Sequence, residues 1–232
     1  GVDVCSDCAF AEELAWKTAS VAKMQELFDP EQLTSDELLS YDLWSYQLER
    51  MQESEPFFYD GLVVDQMNGV QNFVPTFLIN FHRVENADDM TAYIERVKAV
   101  KLRMQEAIAN AVKGAEKGVI SPSFALDGTI TQAQSIITGK PFDRNAEKDS
   151  DLWADMRLEV QTLLEAGTID ALAAEQLTAQ AKDALINHLQ PAYEDIIQWA
   201  ENQKDRAPDV STGVGSQPGG GAYYAYRSRS QT

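Results

Sequence analysis

The sequence predicts an all-α protein, a multi-helix array of long antiparallel helices with one irregular polar and aromatic segment and few or no strands. Three observations support this class. Apolar residues recur at helical spacing along most of the 232 residues, no run alternates apolar and polar residues as a strand does, and no Asn-Gly turn joins two β-rich runs. With 44% hydrophobic residues, the chain is long enough to bury a substantial core.

The first helix is predicted from Asp7 to Phe28, where Asp29-Pro30 ends it because proline cannot continue a helix. Thr34, with Glu37 three residues later, predicts a capping box that opens a second helix. The apolar positions of this second helix predict a thick aromatic face turned toward the core, and they are Leu38, Tyr41, Leu43, Trp44, Leu48 and Met51.

Residues 56–75 break the helical pattern and are dense in aromatic, amide and glycine residues. Two interpretations stay open. The uncharged donors and acceptors of Gln66, Asn68, Gln71 and Asn72 line the wall of a polar pocket, or the segment is a buried connection whose amides satisfy its own backbone.

A short helix is predicted from Pro75 to Phe81. Asn86 is predicted to cap the next helix. Asp88 and Asp89 lie favourably at its positive N-terminal end, and this helix is predicted to continue to Lys117.

Ser121-Pro122 predicts the following N-terminus, with serine as the cap and proline as the first helical residue. Gly167 is predicted to end a further helix, and Thr168 to cap the last one. Pro191 lies inside that last helix, so a kink is expected near residues 186–188.

The charge distribution excludes a class of partner. The formal net charge is -18, and the first 60 residues contain fourteen acidic residues against three basic ones. Such a field repels phosphate backbones, so no nucleic-acid binding is expected. No run of about 18 apolar residues occurs, so no transmembrane segment is predicted.

The motifs of common catalytic sites are absent from the sequence, including HExxH, the P-loop and GxSxG. We therefore predict no catalytic and no metal-binding residue in this chain. His82 and His188 each lack a second histidine or cysteine at ligand spacing and are expected to be structural. Cys5 and Cys8 form a CxxC pair, which indicates a local disulfide or idle thiols, or a redox or metal pair.

The strongest candidates for ligand contact lie near the end of the chain. Tyr223 and Tyr224 follow three glycines and precede Arg227 and Arg229, and hydroxyl and guanidinium groups suit a peptide or carboxylate ligand. A flexible tail is the alternative. The predicted organisation is a helical N-terminal domain over residues 1–206, a Gly/Pro/Ser-rich loop over 207–221, and over 222–232 the start of a further helix whose remainder is missing.

An ordered set of segments resembles a bacterial family catalogued as domain of unknown function 885. The segments are LTSDELLSYDLWSYQLER (33–50), DGLVVDQMNGVQNFVPTFLINFH (60–82), DMTAYIERVKAV (89–100), the turn 118–122, LQPAYEDI (189–196) and PGGGAYYAYRSRSQT (218–232). Together they cover most of residues 33–232.

The resemblance implies a large helical, zinc-metallopeptidase-like protein, often an exported lipoprotein, with its HExxH-like motif in the C-terminal half. This chain would be the N-terminal scaffold and cleft wall of such a protein, inactive alone, with the missing C-terminal half as its partner and a peptide as its substrate. Zinc is implied for the full-length protein only. The resemblance implies a substrate-binding role for Tyr223 and Tyr224. The implied location is extracytoplasmic, periplasmic or lipid-anchored, while a cytoplasmic one stays open. The alternative is a non-enzymatic extracytoplasmic helical protein that binds peptides or proteins.

Overall fold

Helices dominate residues 7–230, the part of the chain that the computed structural model describes. Within this range there is no strand, and the only bridge pairs Lys140 with Asp149. The all-α prediction is confirmed. The helices are α1 (Asp7–Leu27), α2 (Ser35–Ser54), α3 (Val70–Phe81), α4 (Ala87–Glu116), α5 (Ser123–Ile136), α6 (Asp151–Glu165), α7 (Ala171–Ala184), α8 (Gln190–Gln203) and α9 (Gly220–Arg229).

The contacts divide the described residues into two compact units, each of which is described by itself. The core unit comprises residues 62–115 and 120–211, and the hairpin unit comprises residues 7–61, 116–119 and 212–230. The predicted domain limits, 1–206, 207–221 and 222–232, stay a prediction, although α9 begins at Gly220, two residues before the predicted start.

The core unit is built around the buried stripe of α4. Its members recur every three or four residues, as an amphipathic helix requires, and they are Met90, Tyr93, Ile94, Val97, Val100 and Met104. Residues of α6, α7 and α8 pack in the same cluster, and α5 packs on α8. Leu102 and Val112, which the sequence pattern assigns to the apolar face of this helix, are exposed.

Helix α3 begins at Val70, five residues before the predicted start, so Pro75 lies inside it. Proline has no N–H to give to the carbonyl group four residues earlier, which here belongs to Gln71. The hydroxyl of Tyr193 in α8 donates to that carbonyl oxygen at 2.5 Å. A hydrogen bond from another helix thus replaces the missing one.

Two predicted caps are wrong by one to two residues. Ser121 does not cap α5, because its buried hydroxyl donates to the Val64 carbonyl oxygen and Pro122 occupies the cap position. Thr168 does not cap α7, because the carboxylate of Asp170 accepts the hydrogen bond from the Ala173 amide.

The break predicted around Pro191 takes the form of a π-helical turn over Leu185–Leu189, which joins α7 to α8. Proline cannot complete the regular α-helical ladder, and a wider turn accommodates the interruption.

The hairpin unit is built on α1 and α2, which pack against each other. The predicted capping box opens α2, with the Glu37 carboxylate accepting from the Thr34 amide at 2.8 Å. The predicted core face of α2 is only partly covered, because none of its side chains is fully buried and Leu43 is 51% exposed. One neighbouring helix does not cover the whole apolar face.

Candidate functional site

Tyr223 and Tyr224 lie side by side on α9 but in different surroundings. The Tyr223 ring is partly buried in an aromatic cluster, 6.0 Å from the Phe57 ring and 6.3 Å from the Tyr226 ring, measured between centroids. Burial raises the pKa of the Tyr223 hydroxyl. Tyr224 is 63% exposed and thus lies in different surroundings from Tyr223.

The aromatic cluster fixes α9 against the C-terminal end of α2. Phe57 stacks on Tyr226 at 5.1 Å with an interplanar angle of 16°. The guanidinium of Arg229 binds the Glu53 carboxylate, with Nε donating at 3.0 Å, and this hydrogen bond lowers the pKa of Glu53. Sequence reasoning missed Phe57 and Tyr226, since only the fold brings Phe57 to α9.

The segment before α3 is held by a network of side-chain amides. The Gln71 side-chain nitrogen donates to the Asp65 carbonyl oxygen at 2.6 Å and to the Gln132 side-chain oxygen at 3.0 Å. Gln132 in turn donates to the Gln66 carbonyl oxygen at 2.7 Å. Side-chain amides therefore satisfy the backbone of this connection, as the second of the two interpretations drawn from its composition predicts. The first interpretation also holds in part, because Asn68 and Asn72 line a groove.

One acceptor of this network has no partner among the described residues. The side-chain oxygen of Gln71 is buried without a hydrogen bond. It packs against Gly69, where a Cβ atom would overlap both the Gln71 amide and the Asp65 carbonyl oxygen. Glycine is thus required for this close approach.

A groove of about 400 Å³ runs beside this network along α3. Three phenylalanines four residues apart form its apolar side, and Phe73, Phe77 and Phe81 are 67%, 38% and 70% exposed. Neighbouring rings stack, with centroids 6.0 Å and 6.3 Å apart. The exposed Met67 extends the row. We call the three phenylalanines, Phe73, Phe77 and Phe81, the aromatic row.

Uncharged polar side chains complete the lining of the α3 groove, and they are Asn68, Asn72 and Thr76. Asn72 uses its amide nitrogen on Gln132 at 2.8 Å, which orients its amide group. The i, i+4, i+8 spacing of the phenylalanines is visible in the sequence, but sequence reasoning did not separate it from a core face.

His82 ends α3 and joins it to α4. Its Nε2 lies 3.0 Å from the Asp89 carbonyl oxygen, and the Arg96 guanidinium contacts Nδ1. The His82 ring thus bridges the backbone of Asp89 and the side chain of Arg96. His82 therefore has the structural role that the sequence predicts, as a hydrogen-bonded connection between α3 and α4.

Two carboxylates on α6, those of Asp155 and Glu159, have raised pKa values. Tyr93 donates to Asp155 at 2.7 Å. Burial raises the pKa of Asp155 against the opposing effect of this hydrogen bond, and burial together with the Asp155 charge raises the pKa of Glu159. No sequence signal joins Tyr93 to Asp155, because 62 residues separate them.

The metal and cysteine predictions stay predictions. Among residues 7–230, no three His, Cys, Asp or Glu side chains form a group that could hold a metal ion. Cys8 is exposed, and Cys5 lies outside the described residues. Over the same range, no helix has both the length and the apolar character that crossing a bilayer requires.

Comparisons with known proteins give one family and one fold. The model of a family described as bacterial protein of unknown function (DUF885) matches residues 2–232. None of the curated proteins matches the chain. A crystal structure from Colwellia psychrerythraea, described as that of a "putative lipoprotein", superposes with a TM-score of 0.71 at 17% identity. The match covers 94% of this chain and 36% of the Colwellia protein, so the chain spans little more than a third of that protein's length.

Proposed function

Because the chain belongs to the bacterial DUF885 family, we propose that it is the helical scaffold and one wall of a peptide-binding cleft in a larger extracytoplasmic protein. The greater length of the Colwellia protein supports a larger whole, and its description as a lipoprotein supports the location. The remainder of that larger protein is the partner of this chain.

The α3 groove is the observation that carries the proposal. Its aromatic row offers stacked apolar surface to ligand side chains, and Asn68 and Asn72 offer amide groups to a peptide backbone. Charged residues are absent from the lining of this described groove, so an uncharged, apolar peptide segment suits it. The Gln132 contact fixes Asn72 before a ligand arrives, which lowers the entropy cost of binding.

Zinc belongs to this proposal only through the resemblance to metallopeptidases. The described residues do not fit a zinc site, since none of their acidic, histidine and cysteine side chains form a group of three. The role of this chain is to hold the peptide.

The proposal is tested by titrating the chain into a fluorescein-labelled peptide of alternating Phe and Ser and measuring fluorescence anisotropy. Phe77→Ala should weaken binding by about tenfold, since buried aromatic anchors dominate such interfaces. Phe124→Ala is the matched control, because Phe124 is 52% exposed on α5 and lies outside the groove. It should bind as the unsubstituted chain does.

Equal affinity of the Phe77→Ala variant and the unsubstituted chain would rule out the α3 groove. Added zinc is expected neither to raise the melting temperature of this chain nor to produce peptide hydrolysis by it. Either effect would contradict the scaffold role and favour a complete enzyme. Peptide binding by a full-length protein that never hydrolyses peptides would favour the non-enzymatic alternative.

A further inference from the structure

We propose that the groove between α1 and α2 binds a basic amphipathic helix of a separate partner protein. This interaction surface goes beyond the proposed peptide cleft, because the α1–α2 groove lies in the hairpin unit and the α3 groove in the core unit.

The α1–α2 groove is an apolar depression of about 590 Å³. Met24 of α1 and Tyr41 and Trp44 of α2 form its apolar lining together with Phe28 and Leu33 of the connection between the two helices. Further apolar side chains of the hairpin are exposed, and Trp16, Leu39 and Leu43 are 60%, 57% and 51% exposed. A helix with three or four apolar residues on one face matches a surface of this kind.

Trp44 is held in place before any partner arrives. Its Nε1 donates to the Ser20 hydroxyl at 3.2 Å, and the Trp16 ring contacts it edge to face with centroids 6.0 Å apart. The buried Lys17 ammonium lies 3.1 Å from the centroid of the Trp44 ring. A fixed aromatic side chain in a groove is a favourable anchor, because little conformational entropy is lost on binding.

The charge around the groove selects a basic partner. Residues 7–54 contain eleven acidic and three basic residues, a formal charge of -8. The carboxylates of Asp36 and Glu37 lie at the groove itself, and both residues are exposed. A second copy of this acidic hairpin would be repelled, whereas a helix flanked by Lys and Arg would be attracted.

The hairpin unit already contains one helix of this chemistry. Helix α9 carries three tyrosines with Arg227 and Arg229, and it packs at the C-terminal end of α2 through the Phe57–Tyr226 stack and the Arg229–Glu53 pair. Aromatic contact together with an Arg–carboxylate pair is therefore a mode of recognition that α2 uses within its own chain.

The experiment uses an 18-residue fluorescein-labelled helix with Leu on one face and Lys on the other, titrated with the chain. Two control probes accompany it, one with the same composition in scrambled order and one with Glu in place of Lys. Only the basic amphipathic probe should bind, and 300 mM NaCl should weaken its binding relative to 50 mM because salt screens the attraction.

A pair of adjacent variants tests the location. Phe28→Ala should weaken probe binding by about tenfold. Leu27→Ala should change it less than twofold, because Leu27 is 62% exposed, more than the 52% of Phe28, but does not line the groove. Circular dichroism spectra of both variants check that the hairpin remains folded.

Four results would overturn the proposal. Equal binding of the scrambled or acidic probe would remove the selectivity, and equal losses in Phe28→Ala and Leu27→Ala would remove the location. A full-length protein that fails to bind a probe that this chain binds would show that its own polypeptide occupies the groove. A dimer in sedimentation that Phe28→Ala dissociates would show that a second copy does.

Discussion

Pro75 removes one hydrogen-bond donor from α3, and the consequence appears in α8. The Gln71 carbonyl oxygen that loses its helical partner accepts a hydrogen bond from the fully buried Tyr193. A buried carbonyl without a partner costs free energy, so the two residues form a compensating pair. The same burial raises the pKa of Tyr193, which keeps the hydroxyl protonated and able to donate.

Tyr193→Phe should lower the free energy of unfolding by about 1–3 kcal/mol, because it leaves the Gln71 carbonyl unsatisfied. The cost should be smaller in a Pro75→Ala background, where the alanine N–H restores the helical hydrogen bond. Urea unfolding of the four proteins in this double-mutant cycle measures the coupling. Additive effects of the two substitutions would show that the residues do not compensate each other.

At the scale of the elements, much of the fold can be predicted from local signals. The capping box at Thr34, the Asn86 cap and the last residues of α1 and α4 follow from chemistry within one helical turn. The predicted start of α3 is wrong because local rules treat Pro75 as a helix breaker. The distant Tyr193 supplies the hydrogen bond that Pro75 removes.

The apolar face of α2 was predicted to lie in the core for a related reason. Apolar spacing identifies the face of a helix but not the number of neighbours available to cover it. The aromatic row shows the same limit of apolar spacing, since Phe73, Phe77 and Phe81 have the periodicity of a core face while they remain exposed. The Tyr93–Asp155 contact had no signal in the sequence, because it depends on how α4 and α6 pack.

The start of α9 depends on the absence of a side chain at Gly220. A Cβ atom there would overlap the Val214 carbonyl oxygen, whereas a Cβ atom at Gly221 would meet no atom within 4 Å. Gly220→Ala should therefore destabilise the chain by about 1–3 kcal/mol. Gly221→Ala should stabilise it by roughly 0.5–1 kcal/mol, because alanine favours the helical state.

Thermal unfolding compares the two glycine variants, and hydrogen exchange of residues 222–230 shows whether α9 has loosened. Equal stability of the Gly220→Ala and Gly221→Ala variants would mean that the close approach to Val214 contributes nothing.

For the whole molecule, carboxylates with shifted pKa values contribute to the pH dependence of stability. A carboxyl group with a raised pKa in the folded state stabilises the fold below its usual pKa, and this contribution is lost as the pH rises through the raised pKa. Asp155 and Glu159 therefore act against stability at neutral pH, whereas Glu53, whose pKa is lowered, contributes stability there.

Asp155→Asn should raise the melting temperature at pH 7 relative to the unsubstituted chain, with a smaller gain at pH 4. The asparagine oxygen still accepts from Tyr93, but the partly buried charge of Asp155 is gone and no longer raises the pKa of Glu159. Differential scanning calorimetry between pH 4 and pH 8 measures the difference. Asp149→Asn, at a residue paired with the exposed Arg157, is the control and should show no such gain at pH 7. A gain for Asp155→Asn that is the same at both pH values would contradict this explanation.

The bond from Tyr193 to Gln71 also orders events during synthesis. The two residues are 122 positions apart, so the ribosome releases the α3 segment well before the hydroxyl that completes it. We therefore expect water to hydrate the Gln71 carbonyl in the nascent chain until α8 has emerged from the exit tunnel.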